Sequence, residues 1–178
     1  LLPPGQDSAQ GASAVLGREL DPSLNWDDIT WLRDLWHGNL IVKGISTVED
    51  AETAVRHGVD GIVISNHGGR QLDGAVTSME VLQEIASHVK GRITVMADGG
   101  FRRGTDILKA KALGADAVLI GRAAIYGLAA GGEGGASHAI DILRSEIDRG
   151  LGLLGCPDIA RLDAEWLRLR RQHGALSA

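Results

Sequence analysis

Four short apolar runs, at residues 40–43, 59–65, 93–97 and 117–120, recur along the chain, and an amphipathic stretch follows each of them. Runs this short and this unbroken suit strands of a parallel sheet buried on both faces, and the stretches between them suit helices that cover it. The local signals agree. Ser46-Thr47 caps a helix that carries Glu49 and Asp50 in its first turn and stops at Gly58. Thr77-Ser78-Met79-Glu80 is a capping box ahead of Val81, Leu82, Ile85 and Val89. Thr105 starts a helix through Ala112, with Gly114 as its stop. After a Gly-rich turn from Gly131 to Gly135, the spacing of Ile140, Leu143, Ile147, Leu151 and Leu154 predicts a long helix, and a short one follows from Asp163. One more helix precedes the first strand, starting near Trp26 with the stripe Ile29, Leu32, Leu35 and Trp36, and ending at His37-Gly38-Asn39.

The order β-α-β-α-β-α-β-α makes four βα units, half of a closed eight-stranded barrel. An open half would expose two strand edges and one face of its inner core. The missing strands are therefore expected from another polypeptide or from a detached earlier part of the same one. Residues 1–20, rich in Gly, Ser, Ala, Gln and Pro, read as a mobile loop, and the basic tail as frayed.

Composition narrows the class. Of 178 residues, 44% are hydrophobic and 23% charged, which suits a soluble domain with its own core. No apolar run approaches the ~20 residues of a membrane helix. The start, Leu1-Leu2-Pro3-Pro4, does not read as a signal peptide. A single cysteine, Cys156, excludes an internal disulfide framework and fits a reducing cytoplasm. The net charge of −5 argues against generic nucleic-acid binding.

The polar residues of interest all fall at strand ends: Lys43, Ser65 with His67, Asp98, and Gly121-Arg122. In barrels and doubly wound sheets alike, that is where ligands bind. The second strand runs into Ser65-Asn66-His67-Gly68-Gly69-Arg70, which sets a titratable imidazole and a fixed guanidinium at one mouth of the sheet. A neutral imidazole can take a proton near neutral pH, and an arginine can hold a carboxylate bidentately beside it. Asp73 is a local candidate to stabilise the imidazolium. Asp98-Gly99-Gly100-Phe101-Arg102 after the third strand and Gly121-Arg122 after the fourth each bring backbone amides, a helix N-terminus and an arginine to one place. Either alone is as readily a tight turn with a solvated arginine; two on consecutive strands favour a phosphate site. Lys43 invites an ion pair with a carboxylate such as Asp98, or a cofactor that becomes negative on reduction. His37, His57, His88 and His138 show no metal-ligand spacing, and no metal site is expected.

At Ile64-Ser65-Asn66-His67-Gly68-Gly69-Arg70-Gln71-Leu72-Asp73 the chain resembles the active-site signature of FMN-dependent L-2-hydroxy-acid oxidases and dehydrogenases, such as glycolate oxidase, lactate oxidase and mandelate dehydrogenase. The segments 98–106, 119–122 and 40–44 look like the same family's phosphate-binding and flavin-lysine segments. The resemblance implies a (β/α)8 TIM barrel of which this chain is the second half, with residues 1–20 as the loop after barrel strand four and residues 21–178 as the C-terminal half. It implies FMN as cofactor and a small-molecule 2-hydroxy acid as substrate. His67 would be the base and Arg70 the carboxylate anchor. Lys43 and Ser65 would face the flavin, and Asp98, Gly99, Gly100, Phe101, Arg102, Gly121 and Arg122 would hold ribityl and phosphate. The histidine's carboxylate partner would lie in the first half, which makes Asp73 structural. The ending Gly155-Cys156-Pro157-Asp158-Ile159 leans toward the mandelate-type branch, including 4-hydroxymandelate, with O2 or another acceptor reoxidising the flavin. One branch carries a membrane anchor in the loop; residues 1–20 have few large apolar residues and no basic cluster, so no membrane contact is expected. A homo-oligomer is expected. The competing readings are an isomerase or nucleotide dehydrogenase on the same type of barrel, and a half-barrel without catalysis.

Overall fold

The computed structural model describes residues 21–168. The expected loop at residues 1–20 and the end of the expected frayed tail lie outside the described residues. The chain divides after His37 into two compact units.

In the first unit, α1 (Trp26–Leu35) opens on a reciprocal cap. Asn25 Oδ1 accepts from the Asp27 amide at 2.8 Å, and Asp28 Oδ2 accepts from the Asn25 amide at 2.8 Å. The helix ends at Leu35, before the stop expected at His37-Gly38-Asn39, and none of its residues is buried.

The second unit is built on a four-stranded parallel sheet of β1 (Ile41–Ile45), β2 (Gly61–Ile64), β3 (Thr94–Ala97) and β4 (Ala117–Val118), in that spatial order. Helices α2 (Val48–Arg56), α3 (Ser78–Val89) and α4 (Gly104–Ala112) connect the strands, and α5 (Arg122–Leu154) follows the last. The caps read from sequence form at α2, where Thr47 Oγ1 accepts from the Asp50 amide at 3.1 Å, and at α3, where Glu80 Oε2 accepts from the amide and hydroxyl of Thr77, each at 2.7 Å. At α4 the N-cap is Arg103, two residues before the expected cap Thr105. The Asp106 carboxylate reaches back to the amides of Arg102 and Arg103 at 3.2 and 3.0 Å, so an acid in the first turn closes the helix start.

The strands differ from the expectation of burial on both faces. All four residues of β2 are buried, whereas Ile41 on β1 is 49% exposed and Ala117 on β4 is exposed. β1 and β4 are the edges of this sheet, so each has one neighbour strand within the described chain. β4 is also shorter than the expected four residues, although Leu119 N still donates to Ala97 O at 2.9 Å beyond it.

The largest departure is α5. It starts at Arg122, directly after the last strand, and the expected Gly-rich turn is a kink inside it at Gly131 (φ −154°) and Gly132 (φ 59°). A Cβ on Gly127 or on Gly135 would run into the other's backbone. These glycines allow close contact of two helical segments rather than forming a loop. The expected helix from Asp163 is instead a single 3₁₀ turn, Ala164–Trp166, and another such turn, Ile159–Arg161, precedes it.

Ile62, Ile64, Leu82, Ile85 and Val89 are fully buried between β2 and α3. A second cluster, Leu108, Ala112, Cys156 and Leu162 with Ile147, Leu151, Ile159 and Leu167 around it, fixes α4 against the second segment of α5. Those two helices meet so closely that a Cβ on Gly104 would stand 2.5 Å from Ile147 N and 2.6 Å from Glu146 Cβ. Gly104→Ala should therefore cost about 1–3 kcal/mol by overpacking, measured by denaturant unfolding. Gly134→Ala, whose added methyl meets nothing within 4 Å, should be neutral or stabilising. Equal effects at both positions would contradict this packing.

Candidate functional site

Register brings the site together. Lys43 pairs with Val63, Val63 with Met96, and Ile64 with Ala97, so Lys43, Ser65 and Asp98 share one face of the sheet by the two-residue alternation of strands. Lys43 is not the last residue of β1, as expected, but sits two residues inside it. The pairing slips at Gly44, which adopts φ 102° between Lys43↔Val63 and Ile45↔Ile64. The extra residue ends the regular ladder at Lys43 and frees its long side chain to reach over the ends of β2 and β3.

There the ammonium meets two partners. Lys43 Nζ donates to Ser65 Oγ at 2.9 Å and lies 2.9 Å from Asp98 Oδ2. The ion pair with Asp98 anticipated for this lysine is thus present. The lysine side chain is 37% exposed and the aspartate 18%, so the pair lies at the rim rather than in the core. Ser65 is buried, and its Oγ also accepts from the His67 amide at 2.9 Å. Two donors to one hydroxyl leave its own proton to be given to a further acceptor. Asp98 Oδ1 is buried with no hydrogen-bond partner among the described residues.

The chain turns immediately after β2. His67, Gly68 and Gly69 all have positive φ, at 57°, 69° and 71°. For His67 that backbone costs roughly 1–2 kcal/mol, so neighbouring groups must hold it. The Asn66 side-chain oxygen accepts from the amides of Gly68 and Gly69 at 3.0 and 3.2 Å, and Arg122 Nη2 donates to Gly68 O at 3.0 Å. The imidazole is exposed, and its Cε1 stands 3.5 Å from where a Cβ on Gly44 would lie. Its ring nitrogens make no hydrogen bond among the described residues.

Arg70 ends the turn, exposed and without an ion pair among the described residues. The local carboxylate, Asp73, accepts only from the Gly74 amide at 3.0 Å and does not reach His67. This agrees with its structural reading. After β3, Gly99 and Gly100 turn with φ 91° and 83°. Nothing lies within 4 Å of a Cβ built on Gly100 or on Gly121. Phe101 is buried and offers a ligand only its backbone, while Arg102 projects into solvent. Gly121 is the N-cap of α5 and supplies no side chain to the helix's first amides.

Three supporting residues were not singled out as site residues from sequence. Ser78, buried at the start of α3, donates to Asp98 O at 2.6 Å and steadies the turn that carries Asp98. Asn66 was read only as part of a motif, although an Asn before two glycines is a signal for a side-chain-capped turn. Glu146 on α5 accepts from the Gly104 amide at 2.7 Å and from Arg103 Nη1 at 2.8 Å, tying the segment after Asp98 to a distant helix. Only the fold could reveal that contact. Those two donors hold the Glu146 carboxyl below its ordinary 4.5.

An orphaned carboxylate oxygen, a hydroxyl with a proton to donate, glycine turns without side chains and an uncapped helix start beside arginines fit a ligand carrying hydroxyls, a polar ring edge and a phosphate. FMN has those parts. Residues 3–169 match the sequence family described as FMN-dependent dehydrogenase. The chain is 50% identical over 161 residues to (S)-mandelate dehydrogenase of Pseudomonas putida, covering 90% of this chain and 40% of that protein. It is 46% identical to L-lactate oxidase of Nostoc sp., covering 93% of this chain and 46% of that one. Among solved structures, one of the monotopic membrane protein (S)-mandelate dehydrogenase superposes with a TM-score of 0.83 at 47% identity, covering 93% of this chain and 44% of the other. The chain belongs to the FMN-dependent dehydrogenase family, whose cofactor is FMN, and its four βα units are half of a (β/α)8 barrel. It spans less than half the length of these relatives. No helix among the described residues is long and apolar enough to cross a membrane.

Because the folded-state pKa of Glu146 is depressed, its contribution to stability is complete above the unfolded value and is lost as pH falls through the folded one. Glu146→Gln should therefore be less stable than the parent at pH 7, and the gap should narrow as pH drops below 4.5, followed by urea unfolding at each pH. A gap independent of pH would count against this anchoring.

Proposed function

We propose that this chain, completed by the first half of the barrel, oxidises an L-2-hydroxy acid to the 2-oxo acid with FMN, and that mandelate-type substrates, 4-hydroxymandelate among them, are preferred. The observation that carries the reading is the Ser65 hydroxyl, which joins the Lys43 ammonium and the His67 backbone at 2.9 Å each. One group thus fixes a positive charge and a proton acceptor on the same mouth of the sheet. The names and identities of the relatives, mandelate dehydrogenase among them, support the substrate class.

FMN, when bound, supplies the two-electron acceptor for the substrate's α-carbon. His67 takes a proton from the substrate. Its imidazole is exposed and its ring nitrogens carry no hydrogen bond among the described residues, so it can serve as base without first giving up a partner. Arg70, three residues on and free of ion pairs among the described residues, holds the substrate carboxylate and aligns the α-carbon with that base. Lys43, held 2.9 Å from Asp98 Oδ2, stabilises negative charge that develops on the same face. Ser65 would donate a hydrogen bond to the flavin ring, and Asp98 Oδ1, buried without a partner among the described residues, would accept one from the ribityl chain. Gly99, Gly100, the Phe101 backbone, Arg102, Gly121 and Arg122 hold the phosphate end. The carboxylate that stabilises the imidazolium, further substrate contacts and the strands that complete the barrel come from the half outside this chain, as a separate or cleaved chain, and the assembly is a homo-oligomer. O2 or another acceptor reoxidises the cofactor. A cytoplasmic setting is part of this reading, supported by the single cysteine, Cys156, which fits a reducing compartment.

In the complete barrel, His67→Ala should retain FMN while anaerobic flavin reduction by (S)-mandelate falls by at least about a thousandfold, as expected when a general base is removed. Arg122→Ala should instead weaken FMN retention, read by fluorescence titration of the apoprotein. Unchanged reduction in the first variant would remove His67 from the base role, and unchanged affinity in the second would remove Arg122 from the phosphate site.

A further inference from the structure

The turn that carries His67 holds three consecutive residues at positive φ, only two of them glycine. A left-handed histidine returns to a commoner conformation unless the groups around it resist. The structure supplies one backbone hydrogen bond, from Gly69 N to Asn66 O at 3.1 Å, and four between side chains and backbone. Ser65 Oγ takes the His67 amide, Asn66 Oδ1 takes the amides of Gly68 and Gly69, and Arg122 Nη2 gives to Gly68 O. Ser65 is a proposed flavin contact. Asn66 faces no proposed ligand, and Arg122 arrives from the first residue of α5, after β4, two strands away from β2.

We infer that Asn66 and Arg122 are positioning residues that clamp the His67 turn in its left-handed form, so that the phosphate-side arginine also sets the base. This rests on the reading of His67 given above. The clamp is built for one conformation. Asn66 Oδ1 can accept from both amides only while Gly68 and Gly69 point them inward together. Arg122 reaches the carbonyl between them, so close that a Cβ on Gly68 would stand 3.0 Å from its Nη2. The same carboxamide oxygen lies 3.4 Å from where a Cβ on Gly99 would be, which places the Asp98–Gly99 turn against the clamp. A guanidinium has five N–H donors. One serves Gly68 O, and the rest remain for an anion. Filling the phosphate side therefore orders the arginine that holds the turn, and loading of the cofactor and placement of the base are coupled through one side chain.

The test uses the complete barrel saturated with FMN, comparing wild type with Asn66→Ala, Asn66→Asp and Arg122→Lys. Amide exchange is followed over residues 65–71, and the limiting rate of anaerobic flavin reduction by (S)-mandelate is measured with the substrate concentration at half-saturation. Asn66→Ala should speed exchange at Gly68 about tenfold, since it removes the acceptor of that amide, and less at Gly69, whose amide keeps the Asn66 carbonyl. It should lower the limiting rate by a similar factor while flavin stays bound. Asn66→Asp, which keeps an acceptor oxygen, should restore most of both. Arg122→Lys at saturating FMN should also speed exchange across the turn. Exchange within twofold of wild type in Asn66→Ala and Arg122→Lys overturns the clamp. So does faster exchange with an unchanged limiting rate in a reducible enzyme. If wild type itself is reduced by no 2-hydroxy acid, the proposed function fails, and exchange alone then decides the clamp.

Discussion

The Ser65 hydroxyl is the point on which the site depends. It is buried at the end of the most buried strand and accepts from both Lys43 Nζ and the His67 amide. Its location follows from the core: Ile62 and Ile64 are fully buried against α3, so β2 cannot slide, and the residue that follows is fixed with it. A one-residue slip would send Ser65 to the other face and part it from Lys43 and Asp98. Packing far from the chemistry therefore sets the chemistry's geometry.

The same sheet shows what half a barrel lacks. Its central strand is sealed, while β1 and β4 offer free edges, and Ile41 and Leu119 near them stay exposed. A parallel sheet in a closed barrel has no such edges. The polar side of the site is likewise one-sided: it presents an exposed imidazole, an ammonium and two glycine turns, and Asp98 Oδ1 is buried without a partner among the described residues. The unfilled valences of the fold and of the site point the same way, toward groups outside this chain.

Much of this was legible in the residues. The alternation of apolar runs and capped amphipathic stretches was enough for four parallel strands in order, because each strand has a short, local signature. Lys43, Ser65 and Asp98 could be placed together because each stands at or near the end of such a run. What escaped has physical reasons. The Gly-rich stretch of α5 looked like a turn because glycine is read by its backbone freedom, while here Gly127 and Gly135 serve close contact between two segments. The bulge at Gly44 and the reach of Arg122 to Gly68 depend on register across strands, and the Glu146 anchor spans 42 residues, so no local pattern announces them. The edge strands were read as buried because their sequence is that of a closed barrel's strands. The sequence describes the assembly, and this chain is part of it.

The proposed reaction sets a 2-hydroxy acid against FMN at this strand mouth. The most direct measurement is an absorption spectrum of the complete barrel, followed by anaerobic additions of (S)-mandelate, L-lactate and glycolate. The account predicts a bound-flavin spectrum that bleaches with at least one of these acids, most readily with (S)-mandelate. A protein that binds no flavin, or whose flavin stays oxidised with every member of a broad 2-hydroxy-acid panel, would contradict it.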